Sequence, residues 1–451
     1  MEAEAPRMFD GEIARVLSAA SARKVEAEAY LGVDRATRVR VQDGEVETFT
    51  LTERRGLGVR VILEGRVGYA YTESFAFDAL DRAVADAAAN AALLEPDEFA
   101  GLEAFGAPTP ELELFNPDLA EVPIERKVAF ALDLDRAAHG ADGRVKTVTG
   151  SSYGDSMSFV RVASTRGVDR SYRASVGWAA VQPLVVDGDQ SKNYGLVRAA
   201  RCFEELNPDW MGKEAVRRCV EKLGAREIPG GRMPVVFAPE AFADLLGTFS
   251  SVFSAKVAQE GKSLLLGRQG QSIASAAFTL MDDPLQEGGF ASRPFDDEGC
   301  ASKSHTLVES GAFVGFLHNS ETARRDHTTT TGHASRGGYQ GTMRVGTSNL
   351  VVKSGTASRH ALLAGGDRML EITEVTGLHA GANAISGDFS LQAQGFMYEG
   401  GDRYPVHLFT VSGNFYSLLE TIAQVGKDEE RFPSGIATPS VLVSELAIAG
   451  K

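Results

Sequence analysis

Few side chains that could bind a metal ion or act as a nucleophile are spaced for that chemistry in this 451-residue sequence. No two of its eight histidines lie four or five residues apart, so neither an HExxH nor an HExxxH zinc motif occurs. Cys202, Cys219 and Cys300 are odd in number and form no CxxC pair, which favours reduced, structural thiols. No serine is predicted at a strand-to-helix turn of the nucleophile-elbow kind. The sequence therefore predicts no catalytic residue and no metal ligand in this chain.

Two histidines and an aspartate in the C-terminal half are the remaining candidates for lining a cleft. His327 and His333 are six residues apart in a threonine-rich stretch. They could approach a common ligand, although ordinary hydrogen-bonded loop histidines are the simpler interpretation. Asp388 and His407 belong to consecutive predicted strands and could converge with His379. We therefore predict His333, Asp388 and His407 as cleft-lining residues.

A strongly apolar helix over residues 239–260 is predicted at the centre of the chain. It follows a short apolar strand at 234–237, and it begins with Pro239 and Glu240, which suit the first helical turn. Residues 245–255 contain no charged side chain and no histidine. The apolar residues that recur at the three-and-four spacing of one buried face are Phe242, Leu245, Leu246, Phe249, Val252 and Phe253. The helix is therefore either core or a site built from small hydroxyl side chains, which usually bond back to the preceding turn.

The predicted elements divide the chain into two domains of an α+β protein. In residues 1–228, strand pairs turn at 43–44 and at 64–65, and helices are spaced to cover the resulting meander sheet in layers. Residues 229–451 are mostly β, glycine-rich and arranged around the central helix. The boundary falls at the proline- and glycine-containing residues 225–232.

Several local patterns give further expectations. The spacing predicts two separate strands at 146–151 and 158–163 and a helix over 415–425. The acidic run 296–298 and the arginine pair 324–325 are interpreted as solvated loop faces, with a metal or anion site as the alternative.

Composition indicates an ordinary soluble protein. Hydrophobic residues make up 43% and charged residues 24% of the chain. The net charge of -15 argues against binding to nucleic acid, which needs a basic patch. No apolar run is long enough to span a membrane, and the acidic N-terminus lacks the apolar core of a signal peptide. We therefore expect a cytoplasmic protein.

Several separated blocks resemble, in order and spacing, the TldD/TldE (PmbA) family. The C-terminal blocks are Ser-Gly-Asp-Phe-Ser at 386–390, Glu-Gly-Gly at 399–401, Thr-Val-Ser-Gly-Asn at 410–414 and Val-Gly-Lys-Asp at 425–428. The N-terminal blocks are Asp-Gly-Glu-Val-Glu at 43–47, Gly-Leu-Gly-Val-Arg-Val at 56–61 and Gly-Arg-Val-Gly-Tyr at 65–69. The resemblance covers nearly the whole chain.

The resemblance also implies which of two kinds of subunit this is. TldD-type subunits are zinc metallopeptidases with an HExxxH helix and a C-terminal cysteine ligand, and TldE/PmbA-type subunits lack the metal site. Placing strand 234–237 on the family's strand puts Gly247, Thr248 and Val252 at the helix ligand positions, within about a residue. Phe-Pro-Ser-Gly-Ile at 432–436 stands where the cysteine is expected. The chain is thus similar to the TldE/PmbA type, with zinc expected only in a TldD-type partner.

For the family, the resemblance implies a heterodimer that encloses and proteolyses unfolded peptides, and we expect this chain to be its non-catalytic subunit. A homodimeric peptide-binding or regulatory protein, such as a DNA gyrase modulator, is the first alternative. A metal-independent hydrolase that uses His333 or the region of Asp388 and His407 is the second.

Overall fold

The fold is described by a computed structural model over residues 8–450, and the acidic segment 1–6 lies outside the described residues. The architecture is α+β, as predicted. The α-helices are α1 (Asp10–Ala22), α2 (Phe77–Ala92), α3 (Pro117–Glu121), α4 (Ile124–Ala141), α5 (Pro208–Val220), α6 (Pro239–Phe249), α7 (Ala255–Gln259), α8 (Ser320–Arg325), α9 (Arg359–Leu363), α10 (Leu378–Gly381) and α11 (Phe415–Glu420).

The strands fall into an N-terminal and a C-terminal group. The first group is β1 (Glu26–Gln42), β2 (Glu45–Leu63), β3 (Arg66–Thr72), β4 (Val145–Ser164), β5 (Asp169–Asp187), β6 (Gln190–Asn193) and β7 (Leu196–Ala200). The second group is β8 (Gly231–Phe237), β9 (Leu280–Asp282), β10 (His305–Glu309), β11 (Ala312–Phe313), β12 (Ala334–Ser335), β13 (Arg344–Val345), β14 (Leu350–Val352), β15 (Arg368–Thr376), β16 (Asp388–Glu399), β17 (Asp402–Asn414), β18 (Ile422–Val425), β19 (Glu430–Phe432), β20 (Ile436–Thr438) and β21 (Val441–Ala449).

An antiparallel sheet in the order β3-β2-β1-β4-β5-β6 forms the N-terminal half, and β7 pairs with β5. The predicted turns at 43–44 and 64–65 are confirmed. Both residues of each turn have positive φ, at 51° and 80° in the first turn and 50° and 76° in the second, as tight hairpins of right-twisted strands require.

The central strand β4 is longer than predicted. It runs unbroken over the polar residues 152–157, so the expectation of two separate strands was wrong. β4 lies between β1 and β5, and register partners on both sides continue through this stretch. Asp155 is buried there because Lys127 Nζ of α4 lies 2.6 Å from its carboxylate. The polar stretch can therefore lie inside the sheet because Lys127 of another element pairs with Asp155. Local sequence periodicity does not reveal such a partner.

Helices cover the N-terminal sheet in two clusters. Val16 of α1 and Leu80 of α2 pack with Leu31 and Val59 of the sheet. The second cluster contains Leu134 of α4, together with residues of the sheet and of α5. The helices are layered on the sheet as predicted, and the sheet consists of two meanders, β1–β3 and β4–β6, joined where β1 pairs with β4.

Two six-stranded sheets and α6 build the core of the C-terminal half, and β12 and β13 form a separate two-stranded sheet. One sheet has the order β17-β16-β15-β8-β21-β18, and the other has the order β11-β10-β9-β14-β20-β19. Helix α6 contacts β8 and β15 of the first sheet and β19 and β20 of the second. Its apolar face joins both sheets in one core. None of the helices in residues 8–450 has the length and apolarity needed to cross a membrane.

The two long C-terminal helices predicted from periodicity are shorter in the structure. Helix α6 ends at Phe249, residues 250–253 form a 3₁₀ turn, and Ser254 is extended, with φ -81° and ψ 124°, before α7 begins. The Ser250 hydroxyl donates to the Gly247 carbonyl, a local bond that competes with helix continuation. The helix predicted over 415–425 ends at Glu420, because residues 422–425 pair with β21 as β18.

The acidic run 296–298 is buried, so its interpretation as a solvated loop face was wrong. Asp296, Asp297 and Glu298 are 0%, 8% and 4% exposed. Glu298 accepts from Arg60 Nη1 of β2 at 3.0 Å, so the run joins the two halves of the chain. The arginine pair is also engaged rather than fully solvated, since Arg324 donates to the Phe99 carbonyl and Arg325 to the Asp97 carboxylate.

A glycine in β2 makes room for the loop that follows β12. A Cβ at Gly58 would overlap the Tyr339 carbonyl oxygen. We therefore expect Gly58→Ala to lower the free energy of unfolding by about 1–3 kcal/mol through overpacking against backbone.

Urea unfolding checks this prediction, with Gly150→Ala of β4 as the matched control. The nearest atom to a Cβ at Gly150 is 3.9 Å away, on the Arg40 side chain, so this variant should change stability by less than about 0.5 kcal/mol. Equal midpoints for the two variants would contradict the close approach at Gly58.

Candidate functional site

The two segments that the resemblance aligns with the metal ligands of TldD-type subunits come together in this fold. Gly247 lies in the last turn of α6, and Ile436 is the first residue of β20. A Cβ built on Gly247 would lie 3.0 Å from Ile436 Cδ1, so the helix backbone approaches this side chain closely. The helix position where the resemblance expects a histidine is thus a glycine, and it lies against the segment 432–436, where the resemblance expects the cysteine.

The other two expected ligand positions also lack the side-chain types that usually bind zinc. The Thr248 hydroxyl donates to the Asp244 carbonyl at 2.8 Å, one turn earlier on the same helix. Val252 is fully buried in the C-terminal core and belongs to the 3₁₀ turn rather than to α6. The residues at these positions therefore do not fit a zinc ion. Among residues 8–450, no cluster of three or more His, Cys, Asp or Glu side chains has a metal-binding arrangement.

His333 lies in a closed polar cluster between β9 and β12. Its side chain is 0% exposed, with Nε2 2.9 Å from Asp282 Oδ1 and Nδ1 2.9 Å from Thr331 Oγ1. Ser348 donates to the same aspartate from its backbone and its hydroxyl. A substrate at the surface cannot reach His333, so this cluster holds loops together rather than presenting a base.

His305 stands at the edge of the same cluster, opposite Asp282 in the β9–β10 register. Burial, with His333 and His318 nearby, lowers the pKa of His305 to about 4. Between pH 6.5 and 4 the unfolded chain therefore binds a proton at this histidine that the folded chain does not. This difference lowers the free energy of unfolding as the pH falls through that window.

We expect the drop in the free energy of unfolding between pH 6.5 and pH 4 to be smaller in His305→Gln than in wild type by about 1–2 kcal/mol. This value is reduced because the ring is partly exposed. Urea midpoints measured across that range, variant against wild type, check the expectation. Burial also raises the pKa of Asp296 to about 7, which acts in the opposite direction but is common to both proteins. Parallel profiles for the two proteins would contradict the assignment.

The structure does not bring His333, Asp388 and His407 into one cleft. Asp388 begins β16 and accepts from the Asn414 side chain at 2.9 Å on an exposed surface. His407 is exposed on β17 and lines a different depression with Ile228.

Residues 150–154 have the GxSxG spacing, yet they lie inside β4 and not at a strand-to-helix turn, so they do not form a nucleophile elbow.

A polar cavity of about 400 Å³ lies where α5 meets the start of α6. Arg218 of α5 donates to the Tyr194 hydroxyl, which donates to Glu240 Oε2, both at 2.6 Å. On another wall, Glu371 of β15 accepts from Arg359 at 2.7 Å. Sequence reasoning missed this cavity because its wall comes from several distant elements. Its charges largely pair with one another, and the structure singles out no ligand.

Comparison with known families shows to which family the chain belongs. Family models described as PmbA/TldA metallopeptidase domain 1, central domain and C-terminal domain match residues 27–91, 117–223 and 230–450. The chain belongs to the PmbA/TldD family. The models divide the N-terminal half into two units, whereas the sequence predicted one unit over 1–228, and the boundary between 228 and 229 remains a prediction.

Relatives of this family match over almost their full length. The metalloprotease PmbA of Escherichia coli O157:H7 is 28% identical, with 99% of this chain and 97% of that protein covered. A solved Thermotoga maritima structure, named as a candidate modulator of a DNA gyrase, has a TM-score of 0.91 at 29% identity and covers 98% of this chain and 100% of its own. TldE from Thermococcus kodakarensis shares the PmbA/TldD fold, with a TM-score of 0.90 at 24% identity and coverage of 97% and 100%.

Proposed function

We propose that this chain is a TldE/PmbA-type subunit without an active site of its own. It pairs with a TldD-type zinc metallopeptidase subunit in the cytoplasm, and the pair encloses and cleaves unfolded peptides. The glycine at position 247, whose backbone lies close to the apolar side chain of Ile436, carries the proposal, because neither side chain supplies an atom that binds zinc. The hydrogen bond of Thr248 and the burial of Val252 support it.

The test compares this chain alone, a TldD-type subunit alone, and the two together. Zinc content is measured by mass spectrometry, complex formation by sedimentation, and hydrolysis with a fluorescent unfolded peptide. We expect a 1:1 complex whose zinc and activity depend on the TldD-type subunit, and no hydrolysis by this chain alone. One tightly held zinc in this chain, together with hydrolysis, would overturn the proposal.

A homodimeric peptide-binding or regulatory protein is the second candidate. The name of the Thermotoga maritima relative, a candidate gyrase modulator at 29% identity, favours it. The acidic net charge disfavours DNA contact and leaves contact with a protein open. A gyrase supercoiling assay with this chain alone, beside the sedimentation measurement, separates this candidate from the first.

A further inference from the structure

A cavity of about 600 Å³ lies between the N-terminal sheet and residues 337–340 of the C-terminal half. Leu31 of β1 packs against α1 and α2, so the alternate residues of that strand, including Asp34, lie on the opposite face of the sheet. This opposite face, over β1, β2 and β4, is the floor of the cavity. Small-molecule sites often have this size and often lie where two structural units meet. The cavity is therefore large enough for a ligand that touches both halves.

The sheet register places three polar residues in one row across this floor. Asp34 of β1 lies opposite Arg54 of β2 on one side and opposite Ser158 of β4 on the other. Residues that are directly opposite in an antiparallel sheet share a face and have neighbouring side chains. All three residues line the cavity. An acidic and a basic side chain thus stand next to each other on the floor.

The next row of the floor contains two glycines, and an aromatic ring lies on it. Gly32 is opposite Gly56 in the register, and a Cβ built on Gly56 would overlap the ring of Tyr339. The Tyr339 hydroxyl donates to Glu73 Oε1 at 2.6 Å, which holds the ring in this position. Tyr30, on the same face of β1, also lines the cavity. The charged row therefore adjoins a wall of aromatic surface.

The two charged side chains of the row are available to a ligand. Asp34 Oδ1 accepts from the Ser156 hydroxyl at 2.8 Å, and no described residue of the chain donates to Oδ2. Among residues 8–450, neither Asp34 nor Arg54 forms an ion pair within 4.0 Å. The third charged side chain of the cavity, Glu73, is already engaged by Tyr339. The cavity thus offers one carboxylate and one guanidinium that are not neutralised by neighbours.

We propose that this cavity binds a small zwitterion, namely an amino acid or a short peptide with free termini. The ammonium group of the ligand lies at Asp34 and its carboxylate at Arg54, because hydrogen bonds between opposite charges are the strongest available there. An apolar side chain of the ligand lies against Tyr339. The site goes beyond the proposed function, because its ligand is bound by this chain alone, without zinc and without a TldD-type subunit. Failure of one is therefore distinguishable from failure of the other.

Isothermal titration of the full chain with leucine and with the dipeptide alanyl-leucine tests the proposal. Wild type is expected to bind at least one of them with a dissociation constant below about 1 mM. Asp34→Asn and Arg54→Gln should each weaken this binding about tenfold or more, because each removes one charged partner. The matched control is Arg55→Gln, since the Arg55 guanidinium lies over the Phe75 ring on the other face of the sheet, and it should leave the affinity unchanged.

Blocked ligands keep the test independent of folding. N-acetylation of the ligand should weaken its binding to wild type but cause no further loss in Asp34→Asn, and amidation of its carboxylate should do the same with respect to Arg54→Gln. Tighter binding of leucine identifies an amino acid as the occupant, and tighter binding of alanyl-leucine identifies a short peptide. Absence of binding to wild type, or binding that survives blocking of both termini, overturns the proposal.

Discussion

Replacing Arg60 by alanine is expected to lower the free energy of unfolding by about 3–5 kcal/mol, because it removes the cation paired with buried Glu298 and one of the two cations paired with buried Glu28. Arg60 Nη2 lies 2.8 Å from Glu28 of β1, and Nη1 lies 3.0 Å from Glu298 of the C-terminal half. All three side chains are buried. Burial disfavours the charged forms of Arg60 and Glu298, but their pairing outweighs it, raising the pKa of Arg60 and lowering the pKa of Glu298.

Equilibrium unfolding in urea measures this loss, and Arg15→Ala is the matched control. Arg15 pairs with Asp81 on the surface, where solvent screens the ion pair and its loss should change stability little. Limited proteolysis adds a second readout, because loosening of the contact between the halves should expose the loop around residue 298. A loss in Arg60→Ala no larger than in Arg15→Ala would contradict the role of the buried pairs.

Phe249→Ala is expected to cost about 3–5 kcal/mol, since it leaves a cavity at the end of α6. The Phe249 ring is fully buried and stacks on Phe415 of α11, with centroids 4.6 Å apart and planes 14° apart. It also lies 6.3 Å from the ring of Phe389. The stack joins α6 to the sheet that ends in β17, so its loss should also loosen the start of α11.

Thermal and urea unfolding check the Phe249 prediction. Phe77→Ala is its control, because Phe77 is exposed at the start of α2 and its truncation should change stability by less than about 1 kcal/mol. Hydrogen exchange should show faster opening of α6 and α11 in Phe249→Ala. A Phe249→Ala protein as stable as wild type would mean that this end of α6 is not core.

Much of the fold follows from local chemistry. The turns at 43–44 and 64–65 were predictable because a glycine after an acidic residue accepts positive φ at low cost. The buried face of α6 was predictable because its apolar residues recur at helical spacing. The end of α6 at Phe249 was not, since serine side chains and packing against two sheets decided it.

The sequence by itself determined the family resemblance, the α+β class and the absence of zinc-binding side-chain types at Gly247, Thr248 and Val252, because these depend on residue identity and local spacing. Only the tertiary structure decided that His333 is enclosed and that Asp296, Asp297 and Glu298 are buried. The physical reason is that burial of a charge depends on a partner elsewhere in the chain. Glu298 is paired by an arginine 238 residues away, and no local pattern reports such a partner.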